Sequence, residues 1–427
     1  MLYKIFVEGY GCSSNISFTR SIQKLLSERG FQIVGTPKGA DFAIINTCTV
    51  KTETEQRLLR RIGEIADLCK TIVTGCMADA QPGLIKTNFP DVSIVSLSLM
   101  NKMPELVLSE VPIILIDKNG TPPLIPEIVG RRLIIPISRG CVGHCTYCIV
   151  KNALGTLRSY PSQNIIDCVK YALGKDFVEL FITAQDTAIY GKDLSGDTDL
   201  FGLLRSILSL EGNFMMRIGM MTPNHAWEIR EGLVDILRDE RVYQFIHLPL
   251  QSGDDKILRA MGRQYDSGSF IRLVKYFREK LPGLCVVTDV IVGFPGEGND
   301  SFEKTIKVLQ AIEPEKVNIS RFTPRPHTLA KGLPQVKDSI KRSRSKQMTE
   351  ICRTISITKK RQLVGKTLKA IPLRKRGKFF YGRSSSFIPI VFEQNEFLHV
   401  GHIYKTYVTG TGENGIRGKT ILESESS

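Results

Sequence analysis

Apolar residues in the first 110 or so positions come in short runs separated by amphipathic stretches. KIFVEGYGC, DFAIINTC, TIVTGC and VSIVS read as strands. SFTRSIQKLLSERG and ETEQRLLRRIGEIADLC carry helical spacing between them. This alternation predicts an open, mostly parallel α/β sheet. After a Pro-rich connector at 120–130, the rhythm resumes with LIIPIS, VELFIT, FMMRIGMM, QFIHLPL, CVVTDVIVGF and KVNISRF. Six such units predict a partial (β/α)6 barrel with its site at the C-terminal strand ends. The last 65 or so residues are short, Gly-punctuated and β-rich, which predicts a small all-β barrel. The expected domains are 1–112, 131–360 and 361–424.

Composition is that of a soluble globular chain, with 42% hydrophobic and 24% charged residues. No run approaches the roughly 20 apolar residues of a membrane span. The start does not read as a secretory signal, so the expected setting is reducing and cytoplasmic, without disulfides. The net charge of +15 is concentrated: residues 331–383 hold 17 Lys and Arg against two acids, Asp338 and Glu350. An excess of that extent points to a polyanion partner.

Six of the ten cysteines form two sets of three. Cys12, Cys48 and Cys76 each end an apolar run, so three strands present a thiol at one sheet edge, where ligands gather in open α/β folds. Cys141, Cys145 and Cys148 follow a strand with the spacing C-x3-C-x2-C. Structural zinc normally takes four ligands in separated pairs, and a bacterial ferredoxin run adds a fourth Cys. Three close thiolates instead suit a [4Fe–4S] cluster with one open iron. Cys69, Cys168, Cys285 and Cys352 have no Cys at ligand spacing and read as core residues.

The run CVGHCTYC, with Tyr147 before the last cysteine, resembles the signature of the radical S-adenosylmethionine (SAM) enzymes. YGCSSN, NTCTV and GCMA precede it. FITAQDTAIYG, RIGMMTPNH, HLPLQSGDDKILRAMGRQY, TDVIVGFPGE and ISRFTPRPHTLA follow. Together they resemble the methylthiotransferases over essentially the whole chain. The run NISFTR and the element NALGTLRSYP depart from the bacterial pattern, and SYP and QDTAIYG lie closer to the archaeal–eukaryotic branch, which acts on N6-threonylcarbamoyladenosine at tRNA position 37.

The resemblance implies two [4Fe–4S] clusters and SAM. Cys141, Cys145 and Cys148 would ligate the cluster that activates SAM, and Cys12, Cys48 and Cys76 the one that handles sulfur. It implies as partners a tRNA anticodon loop, an electron donor such as a ferredoxin or flavodoxin, and a sulfur source, with no membrane. Tyr147, Gln185, Asp186, Gln251, Asp289 and Gly293 stand near strand ends as cofactor-binding candidates, with Ser252, Pro295, Gly296 and Arg325 beside them. Asp289 lies in a buried strand pattern and needs a partner, whereas His247 reads as a satisfied core histidine. The tail resembles the TRAM domain. There Arg374, Lys375, Arg376, Lys378, Tyr381 and Arg383 are the RNA-binding candidates, cations for phosphates and rings for bases, and one of Phe379 and Phe380 belongs to the core. Alternatives are methylthiolation of isopentenyladenosine-37 or of a ribosomal-protein aspartate, and a non-catalytic zinc-dependent RNA-binding module.

Overall fold

The strand Phe42–Thr47 is buried along its whole length, as expected of a central strand covered on both faces. In a computed structural model, which describes residues 2–50, 52–196, 198–393 and 398–421, it anchors the first sheet. The strands are β1 (Lys4–Gly9), β2 (Gln32–Val34), β3 (Phe42–Thr47), β4 (Lys70–Gly75), β5 (Ser93–Val95) and β6 (Ile114–Leu115). They run parallel in the order β2-β1-β3-β4-β5-β6. The helix Ser13–Glu28 packs Phe18, Ile22 and Leu26 on one face, and the helix Thr52–Ala66 packs Leu58, Ile62 and Ile65 on the other. The edge strand β6 lies beyond the expected boundary at 112.

The central unit opens with a short hairpin, β7 (Ile128–Val129) and β8 (Arg132–Pro136), and a small ladder, β9 (Ser138–Arg139) with β10 (Arg158–Ser159). The remaining strands are β11 (Glu179–Thr183), β12 (Met215–Arg217), β13 (Phe245–His247), β14 (Cys285–Val292) and β15 (Lys316–Arg321). All six expected runs form parallel strands, in the order β8-β11-β12 and then β13-β14-β15. The two sheets join where the Met221 N–H donates to the His247 carbonyl at 3.0 Å. This is the expected partial barrel. The long helix Asp338–Arg361 packs back against β15.

The tail is a closed barrel of β16 (Thr367–Arg376), β17 (Phe379–Ser384), β18 (Pro389–Phe392), β19 (Tyr404–Gly412) and β20 (Gly415–Thr420). Residues 422–424 of the expected tail domain lie outside the described residues. The tail docks on the N-terminal ends of the central strands, sharing one apolar core with Val178, Met215, Tyr243, Phe245 and Cys285. Phe387, in the β17–β18 loop, wedges against Phe181, Tyr243 and Phe245 with ring centroids 5.7, 4.9 and 4.7 Å away. The cysteine trios lie at the opposite, C-terminal ends. Among the described residues, no helix is long and apolar enough to cross a membrane.

Candidate iron–sulfur and SAM site

Three of the six cysteines follow a glycine in the left-handed region: Gly11 (φ 115°), Gly75 (φ 88°) and Gly140 (φ 78°). The turn swings the thiol over the sheet edge at little cost only for glycine. A Cβ on Gly75 would strike Asn46 and Thr47, and one on Gly140 would strike the Thr156 carbonyl. Cys12 is not on β1, which ends at Gly9. It is the N-cap of the helix Ser13–Glu28. Cys76 likewise opens the helix Cys76–Ala80. The expected strands KIFVEGYGC and TIVTGC were too long because a glycine turn, at Gly11 and at Gly75, precedes the cysteine.

Each trio converges. Burial pushes the Cys76 thiol well up, and the neighbouring Cys12 and Cys48 add to it; burial first, then Cys12, raises Cys48. Burial raises Cys141 and Cys148, with Cys145 adding to both. Such thiols hold their protons until a metal displaces them. Among the described residues, no three His, Cys, Asp or Glu side chains surround a single point as ligands of one ion do. A cubane makes a different demand, one thiolate on each of three irons, and the donor sets fit it. The Gly143 N–H donates to Cys141 Sγ at 3.2 Å, and Arg263 Nη1 to Cys145 Sγ at 3.1 Å. The sequence reading did not single out Arg263, although it stands in the quoted run RAMGRQY.

The trios are fastened together. Arg139, two residues before Cys141, meets Asp79, three after Cys76, at 2.6 Å, with both side chains buried. Burial raises the Asp79 carboxyl more than Arg139 lowers it. Cys76 and Ala80 pack directly on Ile149, Ala153 and Leu154, from the stretch just after Cys148. A second clamp stands beside Cys48: Arg325 binds Glu55 and Thr49 of the first domain, and Gln81 reaches both Glu55 and Thr49. Arg325, expected beside the cofactor-binding candidates, has its terminal nitrogens engaged at this junction, because a buried cation needs its counter-charge close.

Beside Cys148 of the tight trio, and reaching Val50 two residues after Cys48, lies a cavity of about 350 Å³ lined also by Tyr147, Gln251, Asp289, Asn318, Arg321 and Arg325. Three of the six expected cofactor residues therefore share it. Tyr147 sets its ring edge against Phe294, with centroids 6.3 Å apart. Gln251 is held at φ 67°, strained for a residue with a side chain, by backbone bonds to Asp289 and Ile291 of β14. Its Oε1 is buried without a protein donor, which fits a bound molecule that donates there. Asp289 has its needed partners: His247 Nε2 at 2.9 Å and Asn318 Nδ2 at 2.8 Å. Burial opposes ionisation, but these bonds hold the carboxyl below its ordinary value.

Gln185, Asp186 and Gly293 do not line the cavity. Gln185 is half-buried, its Oε1 also without a protein partner. Asp186 is buried, caps a short turn through the Ala188 N–H and pairs with His225 at 2.7 Å. Gly293 (φ 76°) faces the buried stem of Lys341, which fills the place where a Cβ would sit, so the glycine serves packing against the long helix. Ser252 is buried beside Thr305. Cys168, Cys285 and Cys352 lie in cores, and Cys69 is packed at the edge of one.

The basic tail divides in two. Arg374, Lys375 and Arg376 pair across the β16–β17 hairpin with Tyr381, Phe380 and Phe379. Arg374 stands over the Tyr381 ring at 5.5 Å and Lys378 over Phe379 at 5.6 Å. Phe380 is core and Phe379 exposed, as strand alternation requires. Arg383 departs from its expected role as an RNA contact. Its Nε binds the buried Glu179 of β11 at 2.9 Å, and its guanidinium stacks on Phe387 at 4.0 Å. Glu179 also takes Arg132 at 2.8 Å and the Tyr243 hydroxyl at 2.9 Å. Arg217 lies close by, its pKa pushed down to about 10 by burial and then by Arg383 and Arg132. Lys341 and Arg344 are likewise buried, Arg344 on Glu297. Part of the basic run is therefore structural.

Two family models match the chain: the Radical SAM superfamily over residues 135–309 and the uncharacterized protein family UPF0004 over residues 4–96. A probable threonylcarbamoyladenosine tRNA methylthiotransferase from Methanocaldococcus jannaschii is 36% identical over 98% of this chain and 97% of its own length. The Pyrococcus horikoshii protein of the same description is 37% identical over 87% of this chain and 88% of its own. The human threonylcarbamoyladenosine tRNA methylthiotransferase is 29% identical over 99% of this chain and 75% of its own. Among solved structures, the radical SAM methyltransferase TsrM from Kitasatospora setae, with cobalamin and a [4Fe–4S] cluster bound, superposes at a TM-score of 0.54. That match spans 89% of this chain and 81% of the other at 13% identity, a likeness of fold.

Proposed function

The chain belongs to the radical SAM methylthiotransferases, and on that footing we propose that it converts N6-threonylcarbamoyladenosine at tRNA position 37 to its 2-methylthio derivative. It is a sulfur-group transferase that uses SAM and two [4Fe–4S] clusters. Cys141, Cys145 and Cys148 hold the cluster that binds SAM, and Cys12, Cys48 and Cys76 hold the second. When bound, these groups supply one-electron cleavage of the sulfonium and a methylated sulfur for carbon 2 of the adenine, a C–H position that acid–base chemistry cannot open.

The protein's own residues supply position and a dry site. Arg263 and the Gly143 N–H stabilise thiolate charge on the tight trio. Tyr147, with Phe294 packed against its ring, closes one wall. Gln251 offers an acceptor, and Asp289, steadied by His247 and Asn318, a second. The two clamps between the domains hold the trios at one spacing, and transfer between two fixed centres depends on that spacing. Arg374, Lys375, Arg376 and Lys378 bind tRNA phosphates without reading sequence. Delivery of electrons by a ferredoxin or flavodoxin, a separate sulfur source and a cytoplasmic setting complete the reading.

The observation that carries it is the pair of cysteine trios fastened together at one domain junction, in a chain related end to end to methylthiotransferases. Anaerobic reconstitution with SAM and tRNA bearing the threonylcarbamoyl group, followed by nucleoside mass spectrometry, tests it. The 2-methylthio product is expected. Replacing Cys12, Cys48 and Cys76 by Ala keeps SAM cleavage and abolishes that product. Activity on isopentenyladenosine alone overturns the substrate, and zinc without labile sulfide overturns the enzyme.

A further inference from the structure

The proposed substrate carries a free carboxylate at the end of its threonyl arm, a charge that adenosine lacks. Burying it in the site requires a cation. Two arginines line the cavity beside Cys148, Arg321 and Arg325. Arg325 is only 4% exposed, and its terminal nitrogens are taken by Glu55, Thr49 and Thr52. Arg321 differs. It ends β15, its side chain is 39% exposed, and among the described residues its one ion-pair partner is Glu53 at 2.8 Å, itself 60% exposed.

Resting on the methylthiotransferase reading, we infer that Arg321 is the specificity residue that receives the threonyl carboxylate, with Glu53 as its place-holder. An exposed pair is worth only about 0–1 kcal/mol, so exchanging one carboxylate for another costs little. The guanidinium fork can take the incoming carboxylate through two parallel bonds. The same cavity holds Asp289, already engaged by His247 and Asn318. Its charge turns a second carboxylate away. The substrate is thereby oriented, with the adenine towards the cysteines and the acidic arm towards Arg321.

The test uses reconstituted enzyme with SAM and three synthetic anticodon stem-loops. These carry threonylcarbamoyladenosine, its methyl ester or plain adenosine at position 37. Binding is read by fluorescence polarisation and product by mass spectrometry. Wild type is expected to bind the acid about 10-fold or more tighter than the ester, the scale of a charged hydrogen bond. In R321Q the acid-to-ester ratio falls to near one, while R321K keeps part of it. In E53Q, which removes the competing carboxylate, the ratio is kept or rises. The ratio within one protein is insensitive to partial misfolding. Equal binding of acid and ester by wild type, or a ratio unchanged in R321Q, overturns the inference. Discrimination in binding with no methylthio product from any loop instead overturns the functional reading and leaves the assignment of Arg321 standing.

Discussion

Arg139 and Asp79 meet at 2.6 Å in the buried junction between the first two domains, and each stands within three residues of a cysteine from a different trio. Removing one partner strands a buried charge, which costs about 3–5 kcal/mol. D79N and R139Q are each expected to lower the thermal midpoint and the iron retained after gel filtration. The double variant is expected to be no worse than the poorer single, because its pair is neutral. A double-mutant cycle checks this, and strictly additive losses would show that the two side chains act separately.

Gly75 and Gly140 make a second expectation. Each holds a positive φ just before a cysteine of a trio, and each lacks room for a methyl group. G75A should cost the cluster of the dispersed trio and G140A that of the tight trio, each taking iron from about eight to about four per chain. G174A is the control, since Gly174 has ordinary backbone angles and open space around it. Iron and labile-sulfide assays decide the matter. Full occupancy in both test variants would mean that the turns yield without moving the thiols.

All six central strands were legible because each apolar run is long and bounded. The edge strands β2 and β6, at three and two residues, carry no period to read. The tight trio was legible from its spacing, and the dispersed trio from its place at the ends of three apolar runs. Their fastenings were not: Arg139 and Asp79 are 60 residues apart, Arg263 and Cys145 118, and Arg325 and Glu55 270. No local pattern signals a contact of that range. The tail's basic residues were legible as a group, but sequence gave no sign that Arg383 turns inward to Glu179. Nor could it place the tail at the far end of the barrel from the cysteines.

That placement changes how RNA binding is best tested. The tail shares its core with Tyr243, Phe245 and Cys285, so deleting it would expose central-barrel surface. Charge replacement is cleaner. Converting Arg374, Lys375, Arg376 and Lys378 to Ala should weaken tRNA binding and flatten the log–log salt dependence by about 3–4, roughly one per lost phosphate contact. R383A should barely move that slope but should lower the thermal midpoint, because it leaves Glu179 with one arginine fewer. Titrations from 50 to 300 mM salt, at about those concentrations, separate the two. A slope change as large in R383A would return it to the RNA surface.

The cavity wall carries its own pH signature. Burial opposes ionisation of Asp289, yet the bonds from His247 and Asn318 outweigh it and hold the carboxyl below its ordinary 3.8. The folded protein therefore binds this proton less readily than the unfolded chain. The stabilisation is fully present above the unfolded value and drains away as pH falls through the folded one, by about 1.4 kcal/mol for each unit of depression. Wild-type apoprotein should thus lose more stability than D289N between about pH 5 and pH 2, while N318A, which removes one of the two donors, falls between them. Urea midpoints along that range provide the measurement. Parallel curves for wild type and D289N would mean that Asp289 carries its proton equally in both states and that its bonds to His247 and Asn318 do not favour the charged form.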